Sequence, residues 1–180
     1  PGTMDNAFTV ASVDNLTVTG IYAKFNGNTG VCVTKTKDGY NQEWTTLDVS
    51  EDQSGTAYDY VFLGDPTDPE DTVKYAVDAG AFDGLDVEGK IVLISRGTSS
   101  FADKHTFAAE AGAAGVIIYN NEPGVLNASL SGSMATTPCV TISSVQMQKV
   151  FAGAEKVAGI YGGTVTVGDG VYSEWQDADY

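Results

Sequence analysis

His105 is the only histidine among the 180 residues, so any chemistry that needs an imidazole must run through it. A serine nucleophile requires such a base within hydrogen-bond reach and a third group to orient that base. Gly132-Ser133-Met134-Ala135 is the small-residue segment best suited to present a hydroxyl. His105, however, sits beside Lys104 inside a helical pattern, and no acid is specified for it. A helix-surface or groove-lining histidine is expected, with no catalytic residue in the chain. The acidic run 65–71 offers Asp65, Asp68, Glu70 and Asp71, oxygen donors of the kind that hold Ca²⁺. It lacks the Asp-x-Asp-x-Asp-Gly spacing, and Pro66 and Pro69 restrict convergence of the carboxylates, so a solvated loop is expected. Cys32 and Cys139 lie far apart in strand-like runs and leave two readings open, one structural disulfide or two buried thiols. No Cys-x-x-Cys or Cys/His cluster exists, so no metal site is expected. Gly112-Ala113-Ala114-Gly115 follows a helical pattern instead of opening one, which removes the phosphate-cradle reading and any cofactor with it.

Those side chains need elements to position them. Residues 7–13, 16–23, 30–34, 44–49 and 57–63 alternate or run apolar in the manner of strands. Asn26-Gly27 marks a hairpin turn, because both residue types accept positive φ. From residue 83 the pattern changes. Residues 89–97, 115–120 and 138–142 are near-continuous apolar runs, as strands buried on both faces require. Ser100-x-x-Asp103 reads as a capping box opening a helix, with Phe101, Lys104, Ala108 and Ala111 on one face and Gly112 at its end. Ser143-x-x-Gln146 opens a second helix to about Phe151. Strand, helix and strand within about 30 residues is the size of a βαβ unit. If its strands are parallel, a binding crevice lies beyond their C-terminal ends. Arg96, Gly97, Ser99, Asn120, Asn121 and Glu122, with the 122–133 loop, are therefore the candidate contact residues for a substrate or a neighbouring domain. Ordinary turns holding the helices would carry the same residues. Residues 163–167 form the last clear strand, and 171–180 read as an acidic, aromatic exit linker.

Composition narrows the function. Nine Lys and Arg against 24 Asp and Glu give a net charge of −15. A field of that sign repels phosphate backbones and anionic lipid headgroups, so neither nucleic acid nor a membrane surface is an expected partner. No apolar run approaches the length of a membrane span. A hydrophobic fraction of 42% supports a packed core in about one domain. Pro1-Gly2-Thr3 at the start reads as an internal piece of a longer chain. Asn15-Leu16-Thr17 and Asn127-Ala128-Ser129 are formal glycosylation sequons, a short pattern with little specificity.

Four blocks then carry a resemblance. They are 87–97 ending in Arg96-Gly97, the Phe101-Ala102-Asp103-Lys104 helix start, 111–121 ending in Tyr119-Asn120-Asn121, and Pro138-Cys139-Val140-Thr141-Ile142-Ser143. In this order and spacing they resemble the protease-associated (PA) domain family, with a family-like core over about 83–152. Residues 5–15 resemble the segment that precedes a PA insertion in large subtilisin-like cell-envelope proteases of the lactocepin and C5a-peptidase type. The resemblance implies an α+β, β-rich sheet or open barrel with two short flanking helices and extra N-terminal antiparallel strands. It divides the chain into a junction strand at 1–15, a PA domain at 16–168 and an exit linker at 169–180. It also implies a noncatalytic module of an extracellular, wall-associated Gram-positive protease. Its partners would be the catalytic domain of the same polypeptide and a protein or peptide substrate. Gly132-Ser133-Met134-Ala135-Thr136-Thr137-Pro138 is similar to a subtilisin-type Gly-Thr-Ser-Met-Ala-x-Pro segment, but the Thr is missing and the Pro is one residue late. Two other classes stand beside this reading: a free-standing glycan- or protein-binding module using Trp44 and Trp175, and a small serine hydrolase using Ser133 with His105.

Overall fold

The computed structural model describes residues 16–27, 29–37 and 56–176. In chain order its strands are β1 (Leu16–Phe25), β2 (Thr29–Lys35), β3 (Thr56–Phe62), β4 (Ile91–Ser95), β5 (Gly115–Tyr119), β6 (Cys139–Ile142), β7 (Glu155–Val157) and β8 (Ile160–Gln176). The helices are α1 (Phe101–Glu110) and α2 (Ser144–Ala152). The expected strands at 7–13 and 44–49 fall outside the described residues.

Every residue of β4, β5 and β6 is buried. These strands are parallel to one another, and β3 joins them in parallel register. Such strands are covered on both faces, which is why their sequences are unbroken apolar runs. Alternation sorts the side chains. Ile91, Leu93, Ile117, Tyr119, Val140 and Ile142 point inward, where they meet Phe25, Tyr60, Phe62 and Val165. Val92, Ile94, Val116, Ile118 and Cys139 point outward into a second core, closed by Ala108 of α1 and by Phe82, Leu126 and Leu130 from the connections.

The other half of the sheet is antiparallel. β1 pairs β2, β2 pairs β6, β3 pairs β8, and β8 returns to β1. The ladder therefore runs β1-β2-β6-β5-β4-β3-β8 and back to β1, a barrel with β7 hanging from β8 outside the ring. This is the expected β-rich α+β architecture with two flanking helices. The N-terminal strands complete the wall instead of decorating it. α2 packs Val150, Met147 and Phe151 against the inner core, while α1 lies on the outer face.

The local signals hold where they are described. Asn26 and Gly27 turn the β1–β2 hairpin with φ of 49° and 74°. Ser100 Oγ accepts from the Asp103 N–H at 3.0 Å and donates to its carboxylate at 2.7 Å. Ser143 caps α2 through the Gln146 N–H at 3.3 Å. The tail differs: the segment expected as an exit linker continues as strand to Gln176, where it faces Leu16. The cysteine question resolves toward a thiol, because Cys139 is free and buried, and desolvation holds it well above its usual pKa.

Candidate functional site

Parallel β4, β5 and β6 bring their C-terminal ends to one edge. The ladder continues one step past the strands there, since the Arg96 N–H donates to the Tyr119 carbonyl at 2.8 Å and the Asn120 N–H to the Ile142 carbonyl at 3.0 Å. Arg96 Nη1 donates to Asn120 Oδ1 at 3.2 Å and to Glu122 Oε2 at 2.7 Å. Asn120 is 2% exposed and spends its amide on Gly124, donating to that carbonyl at 3.0 Å. Asn120 therefore anchors the start of the 120–138 loop, and Arg96 and Glu122 face solvent above it, with side chains 39% and 65% exposed. Asn121 is exposed beside them. An exposed ion pair of this kind contributes about 0–1 kcal/mol. Arg96→Ala is therefore expected to lower the stability measured by urea unfolding by no more than about 1 kcal/mol.

Gly97 and Ser99 do different work. A Cβ at Gly97 would overlap the Tyr75 ring, so this glycine exists to let that ring lie against the backbone. Ser99 Oγ donates to the Tyr75 carbonyl at 2.6 Å. Lys104 Nζ donates to the same carbonyl and, at 2.6 Å, to Ser99 Oγ. Lys104 is fully buried, and desolvation pulls its pKa down from 10.5 to about 8, against the opposing pull of Asp103. The sequence placed Lys104 on the helix face but gave no sign that the 73–75 turn would cover it.

His105 corrects an expectation. It is not on the helix surface: its relative exposure is 0%. Buried positions on α1 are Lys104, His105 and Ala108, and the 120–138 loop supplies the polar partners of His105. Nε2 lies 2.7 Å from the Thr137 carbonyl, so it carries the hydrogen and donates. Nδ1 then accepts from the Ser133 hydroxyl at 2.8 Å. Thr106 Oγ1 stands 3.1 Å from the same Ser133 oxygen. Serine and histidine do converge, but a backbone carbonyl occupies the place of the orienting acid, and Ser133 is only 4% exposed. The pair fastens the loop to α1.

Burial holds the His105 pKa below its usual 6.5, more strongly than the Thr137 carbonyl raises it. The unfolded chain therefore takes up the proton first as pH falls, and stability drops below about pH 6.5. Between pH 7 and 5, wild type is expected to lose more stability in urea than His105→Gln, which has no proton to gain; equal losses would contradict a neutral buried imidazole.

The acidic loop turns its carboxylates onto itself. Asp65, Asp68 and Asp71 accept from the N–H groups of Thr67, Glu70 and Val73, each at 2.9 Å. Among the described residues no group of three or more His, Cys, Asp or Glu is placed to hold a metal ion.

The sequence matches the family described as PA domain over residues 56–152, more than half of the chain. The chain belongs to the PA domain family. The match begins at β3 and ends at α2, so it contains the parallel strands and the whole Arg96–Glu122 edge, while β1, β2 and β8 close the barrel around it. Among curated relatives, a C5a peptidase of Streptococcus pyogenes is 34% identical over 122 residues, 68% of this chain. The probable leucine aminopeptidase 2 of Aspergillus fumigatus is 32% identical over 129 residues, 69% of this chain. The chain spans 9% and 25% of those two proteins. Among solved structures, an aminopeptidase from Aneurinibacillus sp. strain AM-1 superposes with a TM-score of 0.57 at 27% identity, over 91% of this chain and 35% of that one. This PA domain is thus a module found in proteases and aminopeptidases.

Proposed function

We propose that this PA domain is a noncatalytic part of an extracellular protease, and that its Arg96–Asn120–Glu122 edge meets the substrate or the catalytic domain. The observation that carries this reading is the family match over 56–152, which contains that edge entire. The edge pairs a rigid, buried Asn120 with a solvent-facing cation and anion, which suits recognition of a polypeptide better than a phosphate or a lipid. The C5a peptidase relative and the resemblance of residues 5–15 favour a subtilisin-like, wall-associated Gram-positive host of the lactocepin type. Leu16 opposite Gln176 supports an insertion, because the chain enters and leaves the barrel at one place. The Val10 to Val171 spacing that the insertion also implies lies outside the described residues. An aminopeptidase host is a second reading, favoured by the Aneurinibacillus structure, which accounts for 91% of this chain including strands beyond the family match.

The test is made in the intact host protein. Arg96→Ala and Glu122→Lys, each with an unchanged fold, are expected to alter kcat/KM on large protein substrates severalfold while leaving a short chromogenic peptide unaffected. Unchanged kinetics on large substrates would sink the reading. The isolated chain is expected to stay unlabelled by a serine-directed phosphonate probe; labelling that disappears in Ser133→Ala would establish the hydrolase instead.

A further inference from the structure

A second surface lies on the outer wall of the barrel, across β3 and β8. A groove of about 630 Å³ runs there between β7 and the turn that leads into β4, within the roughly 300–1,000 Å³ of ligand-sized clefts. Its floor is Val61 from β3 with Ile160 and Gly162 from β8. One wall is Val157, a large apolar side chain left 68% exposed.

The charges around it are sorted by strand alternation. Glu155 and Val157 line the groove, whereas Lys156 between them turns away. The Lys156 ammonium sits 4.6 Å above the Tyr161 ring and 3.7 Å from Asp65. The cation of β7 is thereby withdrawn from the groove and its anion presented. Three carboxylates, Asp59, Asp86 and Glu155, line the cleft against one ammonium, Lys90, so the lining carries 1 − 3 = −2. Lys90 is itself held by Asp86 at 3.0 Å. Asp59 and Glu155 have no ion pair to any described residue. Among the described strands β7 alone has a single neighbour, so one of its edges offers unpaired backbone groups.

Carboxylates with no ion pair to any described residue, flanking an exposed apolar wall beside a strand edge that no described strand covers, specify an occupant. We infer that this groove binds an extended peptide segment in which a basic and an apolar residue stand two apart, so that both side chains fall on the face turned to Glu155 and Val157. Its apolar side chains lie against Val157 and Ile160, its basic ones reach Asp59 and Glu155, and β7 offers the edge along which an extended chain can run. The sign of the lining excludes phosphate-bearing partners by the same argument that favours basic ones. This surface shares no residue with the Arg96–Glu122 edge, so neither inference depends on the other.

The experiment titrates the full isotopically labelled chain with the acetylated, amidated peptide Lys-Ser-Val-Ser-Lys and with its Glu-Ser-Val-Ser-Glu counterpart, following amide shifts by NMR. The lysine peptide is expected to move amides of 59–61, 155–157 and 160–162, and to bind less well as salt is raised. Glu155→Lys, an exposed change that spares the core, is expected to weaken binding about tenfold, and Arg96→Ala to leave it unchanged. No binding, equal binding of the glutamate peptide, undiminished binding by Glu155→Lys, or shifts confined to 96–99 and 120–122 would each overturn the inference.

Discussion

Gly163→Ala is expected to lower the stability of the barrel by about 3 kcal/mol or more, a large fraction of what a domain of this size has in hand. The added Cβ would overlap Asn26 Oδ1 and come within 2.9 Å of the Tyr60 ring and 3.0 Å of its hydroxyl. Asn26 is the more sensitive partner. From the tip of the β1–β2 hairpin it donates through Nδ2 to the Tyr60 hydroxyl at 3.0 Å and to the Gly153 carbonyl at 2.8 Å. Its Oδ1 accepts from the Thr164 N–H at 3.2 Å. One side chain thus ties the hairpin to β3, to the end of α2 and to β8. The methyl group forces it out, and each orphaned bond costs about 1 kcal/mol on top of the overpacking. A double-mutant cycle gives the sharper check. Asn26→Ala alone loses those bonds but vacates the space that the new methyl needs. The pair Asn26→Ala with Gly163→Ala is therefore expected to be less damaging than the sum of the single changes in urea unfolding. Additive losses would mean that Gly163 is needed for some reason other than Asn26.

The same residues show what a sequence can and cannot disclose. β4, β5 and β6 were legible because burial on both faces leaves no room for polar side chains, so 89–97, 115–120 and 138–142 read as apolar runs. Ser100, Ser143 and Asn26-Gly27 were legible because caps and turns are local physics, decided within four residues. Ring closure was not. β8 carries Gly162, Gly163, Gly168 and Gly170, and glycine weakens a strand pattern even where, as at Gly163, the close approach of the Asn26 and Tyr60 side chains demands it. The edge formed by Arg96, Asn120 and Glu122 was inferred from parallel strands, and the ladder places all three together. The pairing of His105 with Ser133 has no acid specified for it in the sequence. Its actual role depends on the Thr137 carbonyl, 32 residues away, which no spacing rule reports. Lys104 escaped for the same reason, since its partner Tyr75 lies 29 residues back on a short 3-10 turn.

That turn makes Gly97→Ala the second large effect, although its position at a strand end marks Gly97 in the sequence as a candidate contact residue. The added Cβ would overlap the Tyr75 ring, and the ring can move only by lifting the 73–75 turn off α1. Doing so breaks the bonds from Ser99 and Lys104 to the Tyr75 carbonyl and admits water to a buried ammonium. Overpacking and the lost bonds, one of them charge-assisted, sum to about 2 to 4 kcal/mol. The pH dependence separates this account from mere loss of packing. In the wild type Lys104 titrates near 8 in the folded chain, against its ordinary 10.5. The unfolded state therefore binds more protons between those values, and this lysine makes stability rise with pH from about 8 upward. Hydration of Lys104 in Gly97→Ala returns its pKa toward 10.5, and the rise shrinks. Comparing the two proteins at pH 8 and pH 9.5 cancels the opposing contribution of the buried Cys139 thiol, which both share. The stability gap is expected to widen with pH, and an NMR titration of the Lys104 ε-carbon should place its midpoint higher in the variant. A gap constant across that range, with an unshifted midpoint, would show that the Tyr75 turn does not govern the charge of Lys104.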